Sequence, residues 1–130
     1  MKIAYADPPY IGMARKHYGA DPKCAEVDHA ALIEHLCAEY DSWALSSHTP
    51  GLKTILPHCP DSVRVMAWVK PFCSFKPGVG VAYAWEPVIV WNPRPRTRTQ
   101  LTVRDWVSEN ITLQRGTSGA KPTSFCYWLF

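Results

Sequence analysis

Lys2-Ile3-Ala4-Tyr5-Ala6-Asp7-Pro8-Pro9-Tyr10 is the stretch on which the reading of this chain turns. The alternating run from Lys2 to Ala6 predicts a β-strand. It delivers a carboxylate, two prolines and an aromatic ring in immediate succession. Proline has a fixed φ and no N–H, and it forces the preceding residue into extended geometry. Asp7 therefore leaves the strand end in a defined direction. The backbone carbonyls beside it stay free as acceptors, and the Tyr10 ring follows. A rigid acceptor cluster next to a stacking platform suits a planar amine. The plainer readings are a Pro-rich turn or a Pro-rich ligand peptide. A ligand peptide belongs in a disordered tail, however, and this one ends a strand.

Working outward, Asp28 is a candidate N-cap for a helix running to Tyr40. Leu32, Ile33, Leu36, Cys37 and Tyr40 form one apolar stripe, with Glu34, His35 and Glu39 facing away. Ser42 to Ser47 then reads as a short second strand. Strand, helix and strand in this order predict a parallel βαβ unit. Its carboxyl end, at Ser46, Ser47 and His48, should lie beside that of the first strand, the edge where open α/β sheets bind ligands. No acidic partner near Ser47 and His48 indicates a hydrolytic triad, so both read as polar groups lining the cleft.

Thr49-Pro50 starts a short helix that Pro57 and Pro60 should stop. Val63 to Val69 predicts a third strand and Tyr83 to Trp91 a fourth, and the short connection between them predicts antiparallel pairing. Pro87 inside the fourth strand argues for an edge position or a bulge. Gly78 and Gly80 in the connecting loop lack the pattern of a phosphate cradle. Leu101 to Trp106 suggests a turn of helix, Asn110 to Leu113 a short strand, and Lys121-Pro122 onward an apolar helix. The expected architecture is α/β, a single domain over residues 1–130 with a mixed, mostly parallel sheet, flanking helices and an antiparallel edge.

The net charge of +3, from 14 Lys and Arg against 11 Asp and Glu, does not by itself announce a polyanion partner. The distribution says more. Asn92-Pro93-Arg94-Pro95-Arg96-Thr97-Arg98 is a stiff loop that projects guanidinium groups suited to phosphate. Arg15 and Lys16 lie in the segment after Tyr10, read as a loop from Ile11 to Cys24 that either closes over a substrate or is solvated surface. For the arginine loop too, a merely solvated surface remains open. The five cysteines include no Cys-x-x-Cys pair and no signal peptide precedes them, which predicts reduced, mostly buried thiols and a cytoplasmic setting. Cys24, His29, His35 and Cys37 lack the spacing of a metal site, and the two histidines read as surface residues. No apolar run approaches the ~20 residues of a membrane span.

Tyr5-Ala6-Asp7-Pro8-Pro9-Tyr10, Trp68-Val69-Lys70-Pro71-Phe72, Ala84-Trp85-Glu86-Pro87-Val88-Ile89-Val90 and Gly119-Ala120-Lys121-Pro122 resemble, in this order, DNA N6-adenine methyltransferases. The likeness is to the bacterial and phage type whose catalytic motif precedes the cofactor glycine motif, and it spans nearly the whole chain. Asp rather than Ser or Asn before Pro-Pro-Tyr favours adenine as the acceptor. The resemblance implies a partial Rossmann-like methyltransferase fold and S-adenosylmethionine as cofactor. It implies that Asp7, Pro8, Pro9 and Tyr10 form the catalytic motif. The Asp7 carboxylate and Pro8 carbonyl would accept from the adenine amine, and Tyr10 would stack on a base flipped from DNA. Ser46, Ser47, Lys121 and Pro122 would lie along the cofactor. In that family a further strand and a glycine turn follow the last helix, and no such motif stands before Phe130. The sequence therefore predicts half a sheet with a bare strand edge and an uncovered apolar helix. The expected partners are DNA and a second chain or further segment completing the fold. A non-catalytic DNA-binding remnant or subunit is the competing expectation.

Overall fold

The computed structural model of the chain describes residues 1–19, 25–73, 75–111 and 120–130. β1 (Ile3–Ala6) leads through a short helix α1 (Ala14–Tyr18) to α2 (His29–Glu39) and β2 (Ser42–Ser46). The predicted N-cap is in place, for Asp28 accepts from the Ala31 N–H at 3.1 Å. The predicted stripe also faces inward, with Ile33 and Leu36 buried. β1 and β2 pair in parallel, Ile3 opposite Ser42 and Ala6 opposite Leu45, so the βαβ unit forms as its pattern requires. Two 3₁₀ turns (Thr49–Gly51 and Leu56–His58) flank a one-turn helix, α3 (Leu52–Ile55). Pro57 does not stop this segment, because it occupies the first turn of a new 3₁₀ element, where its missing N–H is not needed.

β3 (Arg64–Val69) and β4 (Trp85–Trp91) form the expected antiparallel pair, followed by β5 (Trp106–Ser108) and α4 (Thr123–Leu129). The strand order is β1-β2-β4-β3-β5. β4 lies antiparallel to both of its neighbours, β2 and β3, while β5 pairs parallel with β3. Two expectations need correction here. The sheet is evenly mixed rather than mostly parallel, and its antiparallel pairs lie at the centre rather than at an edge. Pro87 is likewise in a central strand, without an edge position.

The ladder tolerates Pro87 for a local reason. Ser47 donates its N–H to the Pro87 carbonyl at 3.0 Å, continuing the register Ser46 opposite Val88. The bond that a residue at position 87 would return is the one proline cannot make. β2 leaves the sheet at that point. Two further readings fail. Leu101 to Trp106 is not helical; the chain runs irregularly to Asp105 and enters β5, where pairing with β3 outweighs local propensity. The strand predicted for Asn110 to Leu113 falls partly outside the described residues, and Asn110 and Ile111 are not in a strand.

Alternation along the strands sends side chains to two cores. On one face Trp43 and Leu45 of β2 and Ile89 of β4 pack with Ile33 and Leu36 of α2 and with Ile55. On the other, Ala44, Trp68 and Val88 pack with Phe125 of α4. Burying each large apolar side chain stabilises the fold by about 1.5–3 kcal/mol. Helices thus cover both faces, and β2, buried along its whole length, is the spine. The expected uncovered helix is only half so: Phe125 is fully buried, while Tyr127 and Phe130 are exposed. Among the described residues β1 pairs with β2 alone, so its outer edge is bare. The cysteine reading also needs correction, since Cys37, Cys59 and Cys73 are half-buried and Cys126 is exposed; all four are free, and Cys24 lies outside the described residues. His29 is buried, its Nδ1 3.0 Å from the Val27 carbonyl. Among the described residues no helix is long and apolar enough to cross a membrane.

Candidate functional site

The direction of each strand decides what gathers at the carboxyl edge of β1. β1 and β2 end there, contributing Asp7 and Ser46 to His48. β3 also ends there, contributing Lys70. β4 runs the opposite way and begins there, contributing Glu86 beside Trp85. The approach to α4 adds Lys121. The first turn after the Pro-Pro pair runs from Tyr10 to Met13, whose N–H donates to the Tyr10 carbonyl at 2.8 Å. Gly12 takes φ +76° in this turn, a backbone conformation that side chains disfavour. The turn aims the Tyr10 ring back over the sheet edge.

Glu86 is the hub. Lys70 Nζ donates to its Oε1 at 2.5 Å, and the Tyr10 hydroxyl donates to its Oε2 at 2.5 Å. Lys121 Nζ stands 3.6 Å from the same Oε2, 3.2 Å from Asp7 Oδ2 and 3.4 Å from the Tyr10 hydroxyl. Both ammonium groups also lie over the Trp68 indole, at 5.4 Å for Lys70 and 5.3 Å for Lys121. Trp68 is fixed in turn by donating its Nε1–H to the Glu109 carbonyl at 2.8 Å. Two lysines and two carboxylates therefore share a half-buried floor.

The two carboxylates are tuned in opposite directions. Burial alone would raise the Glu86 pKa, but the bonds from Lys70 and Tyr10 and the charge of Lys121 outweigh it and hold the carboxyl below its ordinary value. Asp7 is pushed above its ordinary value by burial, which the Lys121 charge and hydrogen bond only partly offset. Burial, followed by the neighbouring Glu86, raises the Tyr10 hydroxyl, so it stays a donor at neutral pH. Among the described residues nothing bonds Asp7 Oδ1. Lys121 holds one oxygen of the carboxylate and leaves the other, with the Pro8 carbonyl nearby in sequence, as an acceptor pair.

The sequence-derived set separates into three groups. Asp7, Pro8, Pro9 and Tyr10 lie together at the rim of this cluster. Ser46 and Ser47 reach the edge but are buried; Ser46 Oγ bonds the Tyr5 hydroxyl at 2.8 Å and Ser47 Oγ points to the His48 carbonyl at 3.5 Å. Lys121 belongs to the acceptor cluster rather than to a separate wall, and Pro122 is the buried N-cap residue of α4. Ser46 and Ser47 are buried, Lys121 is engaged with Asp7 and Glu86, and Pro122 has no N–H, so these four residues alone make an incomplete site for S-adenosylmethionine.

The third group is the arginines. Arg94, Arg96 and Arg98 follow β4 and therefore leave the sheet at the opposite edge, where Arg94 meets Met1 Sδ. They are not neighbours of Asp7. Trp91 lies five positions beyond Glu86 along β4, about 17 Å at a strand's rise of ~3.3 Å per residue. Arg15 and Lys16, on α1, are exposed and stay close in sequence to the Tyr10 turn.

Sequence reading gave no role to Glu86, Lys70 or Trp68. The signal was present: Glu86 is the lone charge in an otherwise apolar strand, and a buried carboxylate needs a cationic partner. Lys70, the last residue before Pro71 on the paired strand, was that partner. Among the described residues no group of three His, Cys, Asp or Glu side chains could hold a metal ion. Neither a protein-family model nor a curated protein sequence matches this chain.

Proposed function

We propose that this chain carries the amine-acceptor half of an S-adenosylmethionine-dependent methyltransferase acting on the N6 amino group of adenine in DNA. The observation that carries the reading is the arrangement of Asp7, Pro8 and Tyr10 at the carboxyl edge of a parallel strand pair. One Asp7 oxygen is held by Lys121 and the other is free of described partners, beside an aromatic ring fixed through its hydroxyl. An exocyclic amine donating to Asp7 Oδ1 and to the Pro8 carbonyl would have its lone pair turned out of conjugation. Such alignment supplies much of the rate in an in-line displacement. Tyr10 offers its face to the base. S-adenosylmethionine would supply the methyl group. Ser46 and Ser47 are buried and Lys121 is ion-paired with Asp7, so the reading takes a further segment or second chain to complete cofactor binding.

A second reading is a DNA-binding subunit that performs no chemistry by itself. Its DNA contact would be the exposed Arg94, Arg96 and Arg98 loop, while the outer edge of β1, bare among the described residues, with exposed Ile3, Tyr127 and Phe130 fits an additional strand or chain under either reading.

Methyl transfer from labelled S-adenosylmethionine to adenine-containing duplex DNA, with parallel calorimetry of cofactor binding, separates the two. The enzyme reading expects transfer when the completing segment or chain is supplied, and its loss in Asp7→Asn. Asp7 ionises uphill in the fold, so Asp7→Asn should remain folded with no loss of stability at neutral pH. Cofactor binding without transfer in the wild type, or full transfer in Asp7→Asn, would overturn it.

A further inference from the structure

We infer that His48 is a positioning residue that fixes the plane of the Tyr10 ring and leaves one face of that ring for a planar base. The inference rests on the base-binding reading above, but the contact that carries it is independent. The imidazole and phenol rings lie parallel, centroids 5.3 Å apart and planes 9° apart, so His48 covers one face of Tyr10. The Tyr10 hydroxyl is tied to Glu86 and its carbonyl to the Met13 turn. With both ends of Tyr10 held, a ring against the face removes the remaining freedom, rotation about the Cβ–Cγ bond.

His48 is itself firmly seated. Ser47 bonds the Pro87 carbonyl on one side and Gly51 donates its N–H to the His48 carbonyl at 3.0 Å on the other. Gly51 backs directly against the imidazole: a Cβ there would stand 2.9 Å from Nδ1, 3.0 Å from Cε1 and 3.1 Å from Ser47 Oγ. Nδ1 is buried and has no hydrogen-bond partner among the described residues. Its surroundings thus use the ring as a flat surface rather than as a proton donor through that atom. Burial, with a contribution from His29, lowers its pKa against the opposing pull of Glu86, so the ring is neutral at pH 7 and adds no cation beside Lys121. His48 thus takes one face of Tyr10; with Lys121 Nζ also over the ring, 5.9 Å from its centroid, a base entering from the face that His48 does not occupy would stack beside that ammonium.

The test compares His48→Phe, which keeps a flat ring, with His48→Ala, which removes it, and Gly51→Ala, which displaces it. Each full-length variant is titrated with a single-stranded oligodeoxynucleotide carrying one 2-aminopurine among thymines. The Tyr10 ring protons are followed by NMR. We expect His48→Ala and Gly51→Ala to weaken binding about three- to tenfold, the range of one aromatic pair, and His48→Phe to restore it. The Tyr10 ring signals should shift in His48→Ala as the imidazole ring current is lost. Unweakened binding in His48→Ala, or equal weakening in His48→Phe, overturns the inference. If the wild type binds no such oligonucleotide, the base-binding reading fails. The Tyr10 ring-flip rate then decides the positioning role alone: faster flipping in His48→Ala that His48→Phe slows again upholds it, and an unchanged rate overturns it.

Discussion

The two edges of the sheet both carry clustered charge, and they use it differently. At the edge where β1 ends, Asp7, Lys70, Glu86 and Lys121 are paired over Trp68, with the lysine and Glu86 side chains 10–18% exposed. At the edge where β4 ends, Arg94, Arg96 and Arg98 are exposed, and among the described residues their bonds reach only local loop atoms and Met1. Half-buried charges held by one another fix a geometry. Exposed ones in a proline-stiffened loop supply field and contact but little order. The sequence offered the Asp7 corner and the arginine loop as parts of one DNA-directed function; the strand directions assign them to opposite edges of the sheet.

That contrast is sharpest when the hub is removed. Glu86→Ala leaves Lys70 and Lys121 facing each other with no hub and strands the buried Tyr10 hydroxyl. Breaking a buried ion pair on one side costs about 3–5 kcal/mol, and urea denaturation should show a loss of that size. Glu86→Gln keeps one acceptor oxygen but loses the second and the charge, and should lose less than Glu86→Ala. If Glu86→Ala lost under about 1 kcal/mol, a typical value for an exposed pair, the two edges would not differ in kind.

Acid separates the two carboxylates at the paired edge. Glu86 is held below its ordinary value of 4.5, so it stabilises the fold above that pH and the contribution fades as pH falls through the lowered value. Asp7 is raised above 3.8, which gives the opposite sign: its contribution is complete below 3.8 and is lost as pH rises through the raised value. Stability measured from pH 3 to 7, a range of about four units across both reference values, should therefore rise less steeply in Glu86→Gln and more steeply in Asp7→Asn. Parallel profiles for the two variants would show that neither group is tuned by its partners.

Much of this was legible in the chain, and what escaped was long-range. Asp28 and the Leu32 to Tyr40 stripe announce α2 because capping and periodicity act within a few residues. The Asp7-Pro8-Pro9-Tyr10 corner follows from the stereochemistry of proline alone. Glu86 was hidden because its meaning depends on Lys70 of the neighbouring strand and on Lys121, 35 residues further along the sequence. Pro87 misled because a proline signals a missing bond, and only the departure of β2 shows that the bond is not needed. Leu101 to Trp106 misled because its end, from the Asp105 carbonyl through Trp106, is drawn into pairing with β3, which the segment's own residues do not signal. The arginine loop was read correctly as exposed and cationic, but a local reading cannot say which edge it occupies. That follows from β4 being antiparallel to β2.

The arginine loop carries the smallest expected effect and the most direct test of the two-edge contrast. Arg94, Arg96 and Arg98 replaced together by Ala should change stability by no more than about 0.5 kcal/mol, the usual range for surface substitutions. If the loop contacts DNA phosphates, affinity falls and the slope of log K against log salt shrinks by ~0.9 per lost contact. An unchanged slope identifies the loop as solvated surface. In either case the chemistry at Asp7 should proceed at the same rate once DNA is saturating, because the loop lies at the far end of β4 from Glu86. A fall in that saturating rate would mean that the loop reaches the paired edge after all, and the separation drawn from the strand directions would have to be abandoned.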